Sequence, residues 1–504
     1  MTHPNHGVRS PTVEEIRDAG RVHNLDLSTT DAEMLGAFIA DTVASYARID
    51  DLSGPPPAAS TDRTYRSEPD DDPLNAFISG CAVGRDEVGP LSGYTVGLKD
   101  NIALAGVPMT CGWQGLEERI PSSDATVVTR LLDSGATITG KLNMEALAFG
   151  GSGELSDFGP VRNPHDRGYL AGGSSSGCAA AVVAGDVDVA IGTDAGGSIR
   201  RPAAWCGCVG LKPTFGLVPY TGIVSQAYTL DHAGPMARTV LDCARTLEVI
   251  AGQDGLDTRQ SALEPAAYVA AATRPSPDDV SVAVIDEGFG QHPVRSAVDE
   301  RVRDALAAFE AAGAVVSSRS VPRHDDGEAI WTAINLEELI VQSRHEGERG
   351  STTEFIDPEW HAAYAAARRE RAAELPPTLK LALVTGEYVS RVYEGRFYVE
   401  ARRLCQQLAA AYDSALADAD VLALPTIPTL PHEIRDDLSE ADLIERALGF
   451  LRNRAPFNAT GHPVISIPAG TVDGFPIGVS FVGRRGDDET VLHAAAAFEA
   501  TVTP

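Results

Sequence analysis

The chain has 504 residues, of which 43% are hydrophobic and 22% charged, enough apolar material for a large core and too much for wholesale disorder. Asp+Glu is 71 against 41 Lys+Arg, a net charge of -30, which argues against wrapping nucleic acid or lying on an anionic membrane. Four of the cations are lysines (Lys99, Lys141, Lys212 and Lys380) and the other 37 are arginines.

The first 18 residues carry His, Pro and Glu without an apolar run, so no secretory signal is expected. No stretch is long and apolar enough for a membrane span. Seven irregularly spaced cysteines read as reduced thiols in a cytoplasmic protein. The histidines show no metal-ligand spacing, and His232 and His462, in Gly/Pro-flanked turns, read as structural.

In chain order, residues 12–48 read as helical, with Thr30-Asp31-Ala32-Glu33 in the form of a capping box and Met34, Leu35, Phe38, Ile39 and Val43 on one face. Residues 52–73 are Pro- and Asp-rich and read as a surface linker. The expected division is therefore 1–73, helix and linker, and 74–504, one large domain.

From Tyr94 short β-branched runs alternate with helices. Strands are predicted at 95–98, 136–139, 187–191, 209–211, 280–286 and 314–317, and helices at 125–134, 178–184 and 296–312. Residues 330–415 read as mainly helical, 421–425 as a strand, 463–482 as a β-hairpin and 489–501 as a closing helix. This alternation predicts an α/β fold, a sheet covered by helices on both faces.

Two Gly/Ser clusters carry the chemistry: Gly172-Gly173-Ser174-Ser175-Ser176-Gly177, and Gly196-Gly197-Ser198 reached through Thr193-Asp194-Ala195. Glycine lacks the Cβ that blocks positive φ, so such loops can converge backbone N–H groups on a phosphate or an oxyanion. No GxxxxGK[ST] accompanies them, and Ser198 in Gly-Gly-Ser-Ile-Arg is not a GxSxG elbow. A serine nucleophile needs a base, and no histidine stands out. Lys99, at the end of the 95–98 strand, can act if burial keeps it neutral. A surface salt bridge with Asp100 fits the local context equally well.

Together these residues resemble the amidase signature family. The likeness rests on the two clusters, on Arg200, on Cys206-Gly207, Gly210-Leu211-Lys212-Pro213-Thr214, residues 231–238, Ala455-Pro456-Phe457-Asn458 and Gly461-His462-Pro463, and on the separation of 24 positions from Ser174 to Ser198. It spans roughly residues 94–500 and is most like the bacterial broad-range or enantioselective amidases. The resemblance implies a large twisted mixed sheet and a Ser–cis-Ser–Lys triad: Ser198 as nucleophile, Ser174 as bridging serine and Lys99 as base. Backbone N–H groups of Ala195, Gly196, Gly197 and Ser198 would form the oxyanion hole, with Ser175, Asp194 and Arg200 in support. It implies a small-molecule amide substrate, no cofactor or metal, and a homodimer. The chain departs from the family pattern at Ser176 and Cys178, where glycine and serine are usual, and at Ala195, often larger. Three other readings stay open: the glutaminase subunit of a tRNA-dependent amidotransferase, a biuret- or allophanate-type hydrolase, and an inactive binding module. Trp331, Tyr364, Tyr388, Tyr393, Phe397 and the 109–113 loop are the candidate pocket walls, or else ordinary core.

Overall fold

The computed structural model describes residues 8–53, 63–67, 71–273, 275–290, 296–344 and 358–502. By its internal contacts the chain divides into two compact units, residues 1–59 and 60–504.

In the first unit the expected single helix is two, Val13–Val22 and Thr29–Ser53. Asn24 takes the left-handed conformation (φ 58°), which asparagine tolerates, and the chain breaks there. Thr12 and Glu15 form a capping box at the first helix. The second is capped by Ser28, whose Oγ accepts from Asp31 N–H at 3.1 Å while Asp31 accepts from Ser28 N–H at 3.1 Å. The cap thus sits two residues before the predicted Thr30–Glu33 box. Of the predicted apolar face, Met34 and Phe38 are exposed. The expected 52–73 linker lies largely outside the described residues.

The second unit is built on one sheet: β1 Tyr65–Arg66, β2 Phe77–Val83, β3 Thr95–Lys99, β4 Thr137–Leu142, β5 Val189–Asp194, β6 Val209–Lys212, β7 His232–Ala237, β8 Ser281–Ile285, β9 Val315–Arg319, β10 Val421–Pro425, β11 Val464–Val472 and β12 Phe475–Val482. Among the described residues this is a 12-stranded mixed sheet in the order β1-β2-β4-β3-β5-β7-β6-β11-β12-β10-β8-β9. β3 runs parallel to β4 and β5, and β8 parallel to β9 and β10. The predicted hairpin is β11–β12, turned by Asp473 (φ 51°) and Gly474 (φ 86°), the positive-φ pair that a two-residue hairpin requires. β7 was not predicted, because Gly234-Pro235 reads as a turn. It is nonetheless central, paired with β5 and β6.

Strand alternation shows that both faces are buried. On β5, Val189 and Ile191 join one core cluster and Ala190 another. On β10, Val421 and Ala423 face the first cluster and Leu422 and Leu424 a third. The first cluster takes in helices Thr126–Asp133, Val240–Ile250, Ser296–Ala311 and Asp488–Val502. The opposite face is covered by Ser176–Ala184, Arg200–Cys206, Gly327–Arg344 and Arg396–Ala415. Among the described residues no helix is long and apolar enough to cross a membrane. The seven cysteines are free thiols.

Candidate active site

β3 and β5 are neighbours in parallel register, so their carboxyl ends, Lys99 and Thr193-Asp194, lie side by side. Lys99 is fully buried. Its Nζ lies 2.8 Å from Ser174 Oγ and 2.8 Å from Thr193 Oγ1, and 3.3 Å from Thr193 O. The salt-bridge alternative fails, because Asp100 pairs instead with Lys141 at 2.9 Å, both at 0% exposure. Burial pushes the Lys99 pKa down to about 8, and the nearby Asp194, Asp231 and Glu145 charges only partly offset the lost water.

Ser174 is fully buried and follows a cis Gly173–Ser174 peptide bond. Ser175 N–H donates to Ser198 O at 3.1 Å, and Ser175 Oγ donates to Thr193 O at 3.1 Å. Ser175 thus ties the two clusters together. The next helix begins at Ser176, which needs no positive φ, so serine fits where the family usually has glycine. Cys178 is a buried thiol directed at Ile191 O, 3.7 Å away.

The second cluster is held by Asp194. Its carboxylate accepts from Gly197 N–H at 2.7 Å and Ile199 N–H at 3.1 Å, and from Arg200 Nε and Nη2 at 3.0 and 2.9 Å. Asn458 Nδ2 donates to Asp194 O at 2.8 Å. Burial alone would raise the Asp194 pKa, but the paired Arg200 guanidinium holds it well below the usual carboxylate range. Gly197 has φ 117° and leaves room for Arg454, whose Cδ would lie 2.6 Å from an added Cβ.

Of the four expected oxyanion donors, Gly197 N–H is already committed to Asp194. Ala195 O accepts from Trp331 Nε1–H at 2.7 Å. The peptide is planar, so this bond also fixes the direction of Gly196 N–H. Ser198 and Gly196 are half-buried. They line a narrow cavity of about 40 Å³ with Gly173, Gly197, residues 148–151, Arg201, Gln226, Trp331, Ala447, Leu448, Leu451 and Arg454. The structure thus brings Lys99, Ser174, Ser175, Asp194, Arg200 and Ser198 together.

The predicted pocket walls are mostly elsewhere. Trp331 belongs to the site. Tyr388, Tyr393 and Phe397 are 40–57% exposed, and Tyr393 and Phe397 line a separate surface groove. Met109, Cys111, Trp113 and Tyr364 belong to an apolar cluster. His232 and His462 are buried, bonded at Nδ1 to Leu230 O and to Thr460 Oγ1 respectively. Among the described residues no cluster of three His, Cys, Asp or Glu could hold a metal ion.

Sequence reasoning missed Glu145, Arg201 and Arg454. Glu145 is fully buried; Gly153 N–H donates to its Oε1, and Leu155 N–H to its Oε2 at 3.1 Å. Its own N–H donates to Ser174 O at 3.2 Å. A glutamate in Leu-Asn-Met-Glu carries no local sign of this; only its burial reveals it.

These features define a family of hydrolases, and the chain belongs to it: the Amidase family profile matches residues 78–492. An enantioselective amidase of Rhodococcus rhodochrous is 43% identical over 438 residues, covering 86% of this chain and 84% of the relative. A glutamyl-tRNA(Gln) amidotransferase subunit from Halobacterium salinarum is 40% identical over 429 residues, covering 84% of this chain and 99% of the relative. The crystal structure of the corresponding Thermotoga maritima protein superposes with a TM-score of 0.71 at 30% identity, covering 86% of this chain and 88% of the other.

Proposed function

We propose that the protein is an amidase that hydrolyses a carboxylic acid amide to the acid and ammonia through an acyl-serine intermediate. The observation that carries this is the 2.8 Å contact between a fully buried Lys99, at the end of β3, and Ser174, with β3 paired to the β5 strand that leads into the Ser198 loop. Neutral Lys99 Nζ takes the Ser174 proton, and Ser174 Oγ takes that of Ser198 Oγ. Ser198 then attacks the amide carbonyl. The oxyanion is met by the N–H groups of the 195–198 loop, of which Gly196 is the one oriented by Trp331. Losing one such donor costs about 2.7–4 kcal/mol in the transition state. Ser174 returns a proton to the leaving ammonia, and water, activated along the same path, cleaves the ester. Ser175, Asp194 and Arg200 hold the two loops in register. The test is Ser198→Ala assayed on a panel of aliphatic, aromatic and peptide amides. A folded variant without turnover is expected; near-normal turnover overturns the reading.

A second reading, the glutaminase subunit of a tRNA-dependent amidotransferase, draws on the relatives that carry that description. Copurification decides: a stable partner with glutamine-only activity favours this second reading.

A further inference from the structure

Two arginines, Arg201 and Arg454, line the Ser198 cavity, each only 1% exposed. Buried charges are ordinarily paired with an opposite charge, because the loss of water is otherwise uncompensated. Among the described residues neither of these guanidinium groups forms an ion pair. Arg201 donates to the carbonyls of Ala447 and Arg446 at 3.3 and 3.1 Å, and Arg454 to the carbonyl of Phe450. The Nε atom of each is buried without a hydrogen-bond partner.

Of the carboxylates that act on them, Glu328 makes no ion pair with Arg454, and the other three are engaged elsewhere. Asp194 holds Arg200, Glu154 lies 3.3 Å from Arg446, and Glu145 is bound by backbone N–H groups. Burial pushes the Arg201 pKa down to about 10, and that of Arg454 falls for the same reason, with Arg201 and Arg200 adding repulsion. Two cavity glycines make room for the pair: a Cβ on Gly151 would lie 2.5 Å from Arg201 Nη1, and one on Gly197 3.0 Å from Arg454 Nε. The wall beside Ser198 therefore carries two cations without an anionic partner: Arg201 is held by carbonyls and by the face of Trp205, 4.4 Å from its Cζ, and Arg454 by a carbonyl.

We infer that the amide substrate carries a carboxylate that Arg201 and Arg454 receive, and no ammonium group: the monoamide of a short dicarboxylic acid. A carboxylate matches the planar guanidinium fork and supplies the charge that the backbone carbonyls lack. An α-ammonium, as in glutamine, would meet two cations, and among the described residues no carboxylate lines the cavity. This inference rests on the amidase reading and specifies the substrate of that same site.

The experiment compares kcat/KM for succinamate, glutaramate, butyramide and glutamine on the whole protein. The monoamides are expected to exceed both butyramide and glutamine by about tenfold or more. In Arg201→Met and Arg454→Met the succinamate-to-butyramide ratio should fall toward one. A second measurement needs neither turnover nor the variants: succinate should slow fluorophosphonate labelling of Ser198, and butyramide at equal concentration should not. If butyramide is hydrolysed as well as succinamate, or succinate gives no protection, the inference falls and the amidase reading stands. If no amide is hydrolysed and Ser198 resists the fluorophosphonate, the amidase reading falls and takes the inference with it.

Discussion

Lys99 Nζ and Ser174 Oγ lie 2.8 Å apart with neither residue exposed to solvent. The lysine's other side-chain partner, Thr193 Oγ1, is an uncharged hydroxyl. Burial then decides its protonation and brings the pKa down to about 8. The proposed base is the neutral form, present above that value and lost as pH falls through it. The kcat/KM profile should rise with a midpoint near 8 and drop about tenfold per pH unit on the acid side. Initial rates from pH 5 to 10 check this, and a flat profile down to pH 5 contradicts it.

Lys99→Ala should remove most activity, and Lys99→Arg should not restore it. Arginine stays protonated in proteins and cannot accept the Ser174 proton. Steady-state rates of the two variants, set beside their thermal melts, separate loss of the base from loss of fold.

Trp331→Phe keeps an aromatic ring beside Gly196 and removes only the N–H that holds Ala195 O. The expected result is a fall in kcat of about 10- to 100-fold with little change in KM, a fraction of one oxyanion donor's worth. Equal losses in kcat and in ground-state binding would contradict the positioning role.

Arg200→Leu leaves the Asp194 carboxylate buried without its cation. The expected loss is about 3–5 kcal/mol of stability, read by denaturant unfolding. Arg200→Lys should recover only part of it, because the two-point contact to Asp194 needs the guanidinium fork.

Much of this site could be read in the sequence, because its parts are local. Lys99 ends a β-branched run and is one of four lysines. Ser174 and Ser198 lie in Gly-rich loops next to regular elements. What could not be read depends on contacts distant in sequence. Arg201 and Arg454 are ordinary arginines until Gly151 and Gly197 bring them to one cavity. Tyr388, Tyr393 and Phe397 read as pocket or core because periodicity does not say which helix face lacks a partner, and they are exposed. β7 was hidden by Gly234-Pro235, whose turn signal was overridden by pairing on both sides. The N-terminal helix boundary was misplaced because Ser28-x-x-Asp31 and Thr30-x-x-Glu33 are both acceptable caps, and Asn24 sets where the chain breaks.

In the proposed mechanism Ser198 carries the acyl group. Rapid-quench mass spectrometry of the protein during turnover of a slow amide, followed by peptide mapping, tests it directly. An adduct of the acyl mass is expected on the peptide containing Ser198 and absent in Ser198→Ala. An adduct on another residue, or hydrolysis that persists in Ser198→Ala, would contradict it.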